Sequence, residues 1–144
     1  MRKNFPMILI RVMVGLVFLT EGILKFVLPG ELGAGRFEHI GFPYPHLLAP
    51  LVGGIEIAAG AALILNLYSG DAAALLLVVI VTALITTKVP IQLGHPLGRF
   101  APPKLNHYGT LSFLHEARTD LCMLLGCLAI LIDGGLKFGR GKPR

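Results

Sequence analysis

Apolar and polar positions alternate along this chain in whole segments, not residue by residue. Four stretches are apolar over most of their length: residues 7–26, 47–68, 71–88 and 114–136. Crossing a bilayer takes about 20 residues of helix. The pattern therefore predicts an all-α fold, an integral membrane four-helix up-down bundle, with residues 1–144 forming a single membrane domain. The linkers are unequal. Ser69-Gly70 joins the second and third segments, with Asp71 as a helix cap, so those two should be antiparallel neighbours. Residues 27–46 and 89–113 form two long outer loops rich in Gly, Pro and aromatics. Loops longer than about 12–15 residues tend to carry function or short structure of their own. No long internal repeat and no low-complexity tract is visible.

The polar positions that interrupt the segments are the informative ones. The first carries Arg11, Glu21 and Lys25, the second Glu56, and the fourth Arg118, Asp120 and Asp133. The third has no charge between Asp71 and Lys88. An ionisable residue inside a membrane marks a functional candidate whose partner should be named. With Arg11 at zero and about 100° per residue, Gly15, Phe18, Gly22 and Lys25 fall within about 40°, and Glu21 lies at the edge of that face. Gly53 and Gly60 flank Glu56 at i−3 and i+4. Small residues let helix backbones approach closely. Gly15, Gly22, Gly53 and Gly60 are therefore expected to pack helix against helix and turn the charges inward.

At about 1.5 Å per residue, Glu56 falls near the midplane, with Arg11 toward one side. Glu21, Arg118 and Asp120 fall toward the other, with Lys25 and Lys88 at its rim. Arg11, Lys25 and Arg118 balance Glu21, Glu56 and Asp120, as burial of charge requires. Arg11 or Arg118 is the expected counter-charge for Glu56, and Lys25 has Glu21 within reach at i,i+4. Two readings stand: a network that fixes helix register, or a polar cavity accessible to a proton or a quinone.

Composition agrees with the segment pattern. The chain is 54% hydrophobic and 15% charged, with mean hydropathy +0.74. The net charge of +5 does not indicate nucleic acid. It comes largely from Arg2, Lys3, Lys137, Arg140, Lys142 and Arg144 at the two ends, and no recognition motif accompanies it. Basic ends beside apolar spans are typical of cytoplasmic tails. Both termini are therefore expected in the cytoplasm, which places all five histidines at or near the outer face. The first segment is not read as a cleaved signal peptide, because Arg11, Glu21 and Lys25 interrupt it and no small-x-small site follows. Cys122 and Cys127 fit neither a redox pair nor a metal motif and read as small buried apolar residues.

His107, His115 and Glu116, with His95, are weak metal candidates, since their spacing matches no standard ligand motif. No metal site is expected; these histidines read as solvated or interfacial, or as groups that titrate at the outer mouth. Phe37, Phe42, Tyr44, Phe100, Tyr108 and Phe113 read as interfacial anchors, with a quinone-ring slot as the sharper alternative. No phosphate loop, nucleophile elbow or heme motif is present.

The segments "RVMVGLVFLTEGILKF", "GFPYPHLLAPLVGGIEIAAGAALILNLYSGDAAALLL" and "LHEARTDLCMLLGCLAILIDGGLKF" together resemble the DoxX family of small bacterial and archaeal membrane proteins. The resemblance rests on the Arg and G-x-x-K of the first helix, the G-x-P loop, the helix with Glu followed by Gly, the short turn, and the Gly-containing exit. It implies a four-helix membrane bundle. It also implies membership in a redox system, since the family is named for a subunit of a terminal quinol oxidase and is related to thiosulfate:quinone oxidoreductase subunits. The expectation is a subunit of the bacterial or archaeal inner membrane that anchors a redox partner. Arg11, Glu21, Glu56, Arg118 and Asp120, with Lys25, would offer a quinone or proton site. No intrinsic cofactor is expected, catalysis by the chain alone is not expected, and a homodimer would close an open polar groove. The readings from other classes are a small-molecule or ion transporter or channel, and a structural membrane scaffold.

Overall fold

The computed structural model describes residues 5–102 and 105–134. Within them the chain forms α1 (Phe5–Val27), α2 (Ala34–Ile40), α3 (Pro45–Ile64), α4 (Ser69–Ala83), a π-helical turn (Leu84–Lys88), α5 (Val89–Leu93) and α6 (Thr110–Gly134). No strand is present among the described residues, only a single bridge between Leu97 and Phe100.

Three helices are long and apolar enough to cross a membrane: Phe5–Val27, Pro45–Ile64 and Ser69–Leu93, the last running through the π-turn. α6 has 25 residues but is less apolar, because Glu116, Arg118, Asp120 and Asp133 interrupt it. The exterior is apolar. Leu9, Met13, Leu16 and Ile23 of α1 face outward, as do Leu75 and Val78 of α4. So much exposed aliphatic surface on single helices suits lipid, not water.

The long helices pack in the cyclic order α1, α3, α4, α6, with α6 returning to α1. The α1–α3 interface is the most extensive. Its cause is a double glycine contact. A Cβ on Gly15 would stand 2.7 Å from the Gly60 carbonyl oxygen, and one on Gly22 would stand 2.7 Å from that of Gly53. The two antiparallel backbones therefore touch at two levels, two helical turns apart. Below these contacts Val14, Phe18, Leu63, Leu76, Met123, Cys127 and Ile130 fill an apolar core.

Several local boundaries differ from the sequence expectation, including the start of α6 at Thr110 and not near Leu114. α3 ends at Ile64, not near Tyr68, because Asn66 (φ 57°) and Tyr68 (φ 47°) turn left-handed. Ser69 and Gly70 are already inside α4, so the linker is Leu65–Tyr68. The N-cap is Tyr68, without a side-chain hydrogen bond, and Asp71 lies in the first turn. The third helix does not stop at Lys88. Val89 N–H donates to the Leu84 carbonyl, one residue further back than in an α-helix, and the helix continues to Leu93. Pro90 explains the widened turn. It has no N–H for the Thr86 carbonyl, and its ring would crowd that oxygen. Opening one π-turn removes the conflict without ending the helix.

The long linkers, α2, α5 and the N-termini of α3 and α6 share one end of the bundle, called here the loop end. All five histidines lie there. α2 is the first linker's own structure. It is held to the second linker by Ala101 N–H donating to the Ile40 carbonyl at 3.0 Å and by Phe42 packing in tilted contacts against Phe37 and Phe100.

Candidate functional site: a charged cavity at the loop end

The helices line a partly open cavity of about 580 Å³ toward the loop end, with exposed Glu21 among its lining residues. Its walls are mainly apolar: Val17 and Phe18 of α1, Val52 and Ile55 of α3, Val79 and Ile80 of α4, Met123 of α6, and Leu32, Phe37, Ile40 and Phe42 around α2. Into this space project Glu21 and Lys25, Arg36, Glu56, Thr86, Thr87 and Lys88, and Glu116 and Asp120.

The charges are organised as two ion pairs. Glu56, in the middle of α3, is only 4% exposed. Lys25 Nζ lies 2.6 Å from its Oε2. Lys25 comes from the last turn of α1, and its stem runs inward across the Gly22–Gly53 contact. The absence of side chains at that level leaves it room. Lys25 Nζ also lies 3.5 Å from the Glu21 carbonyl, to which it donates. The contact sets a buried ammonium directly against a buried carboxylate. The second pair joins Lys88 Nζ to Asp120 Oδ2 at 3.5 Å. Lys88 is 9% exposed. Glu21 acts electrostatically on both Glu56 and Asp120, and Arg36 on Asp120, so the two pairs share one field.

The π-turn gives the second pair its place. Three consecutive residues of an α-helix fan over about 200°, yet Thr86, Thr87 and Lys88 are all buried. Thr86 Oγ1 donates to the Thr82 carbonyl at 2.8 Å and Thr87 Oγ1 to that of Ala83 at 2.6 Å. Each hydroxyl therefore keeps lone pairs free to accept.

The structure brings together Glu21, Lys25, Glu56 and Asp120, with the Gly15–Gly60 and Gly22–Gly53 contacts behind them. It does not bring Arg11 or Arg118 to them. Arg11 lies two turns into α1, away from the cavity, and makes no ion pair among the described residues. Arg118 is exposed on α6. It donates to the His115 carbonyl at 2.7 Å and lies 3.0 Å from the imidazole nitrogens. Glu56 thus takes Lys25 as counter-charge, not Arg11 or Arg118. A helical wheel cannot choose between cations on different helices, because side-chain reach and rotation decide it.

Sequence reasoning missed Lys88 and Arg36. Lys88 looked like a rim residue at a helix end. The usable signal was Pro90 two positions on, since a proline in a continuing apolar helix marks a distorted turn. Arg36 gave no signal, as its place depends on α2 folding back over the cavity.

The remaining candidates lie outside these pairs. His107, His115 and Glu116 border a second hollow of about 300 Å³ with Asn106 and Ser112. No group of three His, Cys, Asp or Glu among the described residues is arranged to hold a metal. Cys127 is buried but Cys122 is exposed on the apolar exterior, so only the first is a core residue.

A helical bundle with an apolar outside and an ionic cavity inside is the class of molecule this is: a membrane protein with a polar interior site. Residues 7–89 match the DoxX family model, and the chain belongs to the DoxX family. It is 44% identical over 128 residues to an uncharacterized membrane protein of Mycobacterium tuberculosis (strain ATCC 25618 / H37Rv), covering 88% of this chain and 74% of that one. No solved structure matches. The family match includes Lys25, Glu56 and Lys88 and ends before α6, so Asp120 lies beyond it.

Proposed function

We propose that the protein is a membrane subunit of a quinone-linked redox system, in respiration or detoxification, and that the charged cavity is its quinone or proton site. The observation that carries this reading is the pairing of apolar walls with two lysine–carboxylate pairs in one cavity of about 580 Å³. Ligand pockets are commonly about 300–1,000 Å³, mostly apolar, with a few convergent polar groups. A quinone ring suits the walls formed by Val17, Phe18, Phe37 and Phe42. Lys25 and Lys88 would donate to its oxygens, and Glu56, Asp120 and the Thr86 and Thr87 hydroxyls would accept from the reduced form. When bound, a quinone exchanges two electrons and two protons. The chain's own side chains hold the ring and its protons but cannot carry electrons. A redox partner is therefore part of the proposal. So are α6 as a fourth span and an inner-membrane location of bacterial or archaeal type with both termini cytoplasmic. A homodimer that closes an open polar groove is a further element.

The test is copurification from native membranes, with mass spectrometry of bound proteins and lipids. The expected result is a stoichiometric oxidoreductase partner and a bound quinone, the quinone being lost in a Lys25→Met/Lys88→Met variant that still folds. Solute movement by the purified protein in liposomes would replace this reading with transport. A partner whose turnover ignores both lysines would leave the protein as a scaffold.

A further inference from the structure

The bundle is built of two helix pairs. α1 with α3 and α4 with α6 form the most extensive interfaces, and the α3–α4 and α1–α6 seams are slighter. Each ion pair lies inside one unit: Lys25–Glu56 joins α1 to α3, and Lys88–Asp120 joins the turn after α4 to α6. The cavity takes its walls from both units, so it is a slot between them. Its exposed wall residues show where it opens: Glu21, Arg36, Val78, Thr82 and Thr119.

These openings differ in chemistry. Val14 meets Gly126 at the α1–α6 seam. Thr119 lies on the same face of α6, about 20° from Gly126 and nearer the loop end. With Glu21 it makes this opening polar, and Arg36 of α2 does the same at the loop end. The α3–α4 seam is apolar. With Glu56 at zero and about 100° per residue, Gly53 and Gly60 lie about 40–60° to one side, against α1. Val52 and Ile55 lie about 40–100° to the other side, toward α4. Val78 of α4 lines the cavity and is 66% exposed, so the cavity meets the exterior there. The Thr82 hydroxyl beside it donates to the Val78 carbonyl at 2.8 Å and adds little polarity. Ile55 and Val78 sit near the middle of two helices long and apolar enough to cross a membrane.

We propose that the ligand is a quinone with a hydrocarbon tail, and that the tail leaves the slot between α3 and α4, past Val52, Ile55 and Val78, into the bilayer. The inference rests on the reading of the cavity as a quinone site and adds the orientation of the ligand and its route of entry. Depth supports it, because the apolar opening lies where hydrocarbon lies and a membrane-dissolved ligand reaches it without crossing water. Charge decides the direction. A tail through the opposite seam would lay hydrocarbon over the Glu21 carboxylate, which has no ion-pair partner among the described residues. Stripping water from an unpaired charge is costly. With the tail between α3 and α4, the head lies between the two ion pairs and Glu21 keeps its water.

The test uses full-length wild-type protein in lipid nanodiscs. The probe is a decylubiquinone analogue with an aliphatic diazirine midway along its chain. After irradiation, adducts are located by peptide mass spectrometry, with and without excess unmodified decylubiquinone. Adducts on α3 and α4, around Val52, Ile55 and Val78, are expected to be lost when the competitor is present. Loss of adducts around Glu21 and Thr119 instead overturns the proposal. So does labelling of α3 and α4 that the competitor leaves unchanged, since that is the mark of a chain grazing the lipid-facing surface. Binding is read separately, as saturable retention of decylubiquinone above that of empty nanodiscs. No saturable retention removes the quinone reading and this inference together. Saturable retention without competed adducts on α3 and α4 overturns the tail route alone.

Discussion

At the scale of single residues, the Lys25–Glu56 pair is where energetics are sharpest. Both side chains are nearly sequestered, at 10% and 5% exposure. A buried pair contributes little net stability, but losing one partner strands the other. Lys25→Met should therefore cost about 3–5 kcal/mol. The double variant Lys25→Met/Glu56→Gln, with no stranded charge, should recover most of that loss. Denaturant unfolding in detergent micelles reads both, and a double variant no better than the worse single one would show that the pair does not act as a unit. At Lys88–Asp120 the 3.5 Å separation and the 24% exposure of Asp120 soften the same argument. Breaking that pair should cost clearly less.

At the scale of elements, two devices shape the site: the glycine contact and the π-turn. Gly22→Ala places a methyl group against the Gly53 carbonyl and should destabilise by about 1–3 kcal/mol through overpacking. Gly54→Ala, where an added Cβ meets nothing within 4 Å, is the control and should be neutral or slightly stabilising. Thermal melts of the two variants side by side make the comparison. The π-turn gives a different prediction. Pro90→Ala restores an N–H for the Thr86 carbonyl, so the helix can relax to a regular α-helix and rotate Lys88 away from Asp120. The coupling between Lys88→Met and Asp120→Asn in a double-mutant cycle should then fall toward zero in the Pro90→Ala background, while in the natural sequence it is measurable. Persistent coupling would mean that tertiary packing, not Pro90, holds the turn open.

At the scale of the whole molecule, the question is how the bundle sits in the membrane. On the proposed reading of α6 as a fourth span, the loop end faces one side, and the Phe5 end of α1 and the Gly134 end of α6 face the other. A cysteine placed at exposed His107, in a background with Cys122 and Cys127 replaced by Ala, should react with a membrane-impermeant maleimide added to intact cells. One placed at Lys3 should not. Labelling of both from the same side would mean that one of the three candidate spans between the two positions does not cross. The lid formed by α2 and Phe37, Phe42 and Phe100 also belongs to this scale, because its halves come from linkers far apart in the chain.

The apolar segments, their approximate ends, the inward-facing glycines and the anomaly of Glu56 could all be read from the sequence. Each depends on local hydrophobicity, on helical period, or on the cost of a lone charge in hydrocarbon. The length of the second linker could not, since Pro90 inside a continuing helix reads as a stop until the widened turn is seen. Nor could the choice of Lys25 over Arg11 and Arg118, the entry of Lys88 and Arg36 into the cavity, or the double placement of Glu116. Those depend on how helices rotate against one another and how linkers fold back. Periodicity along one helix carries no information about the partner across the gap, and only the packed bundle decides which charges meet.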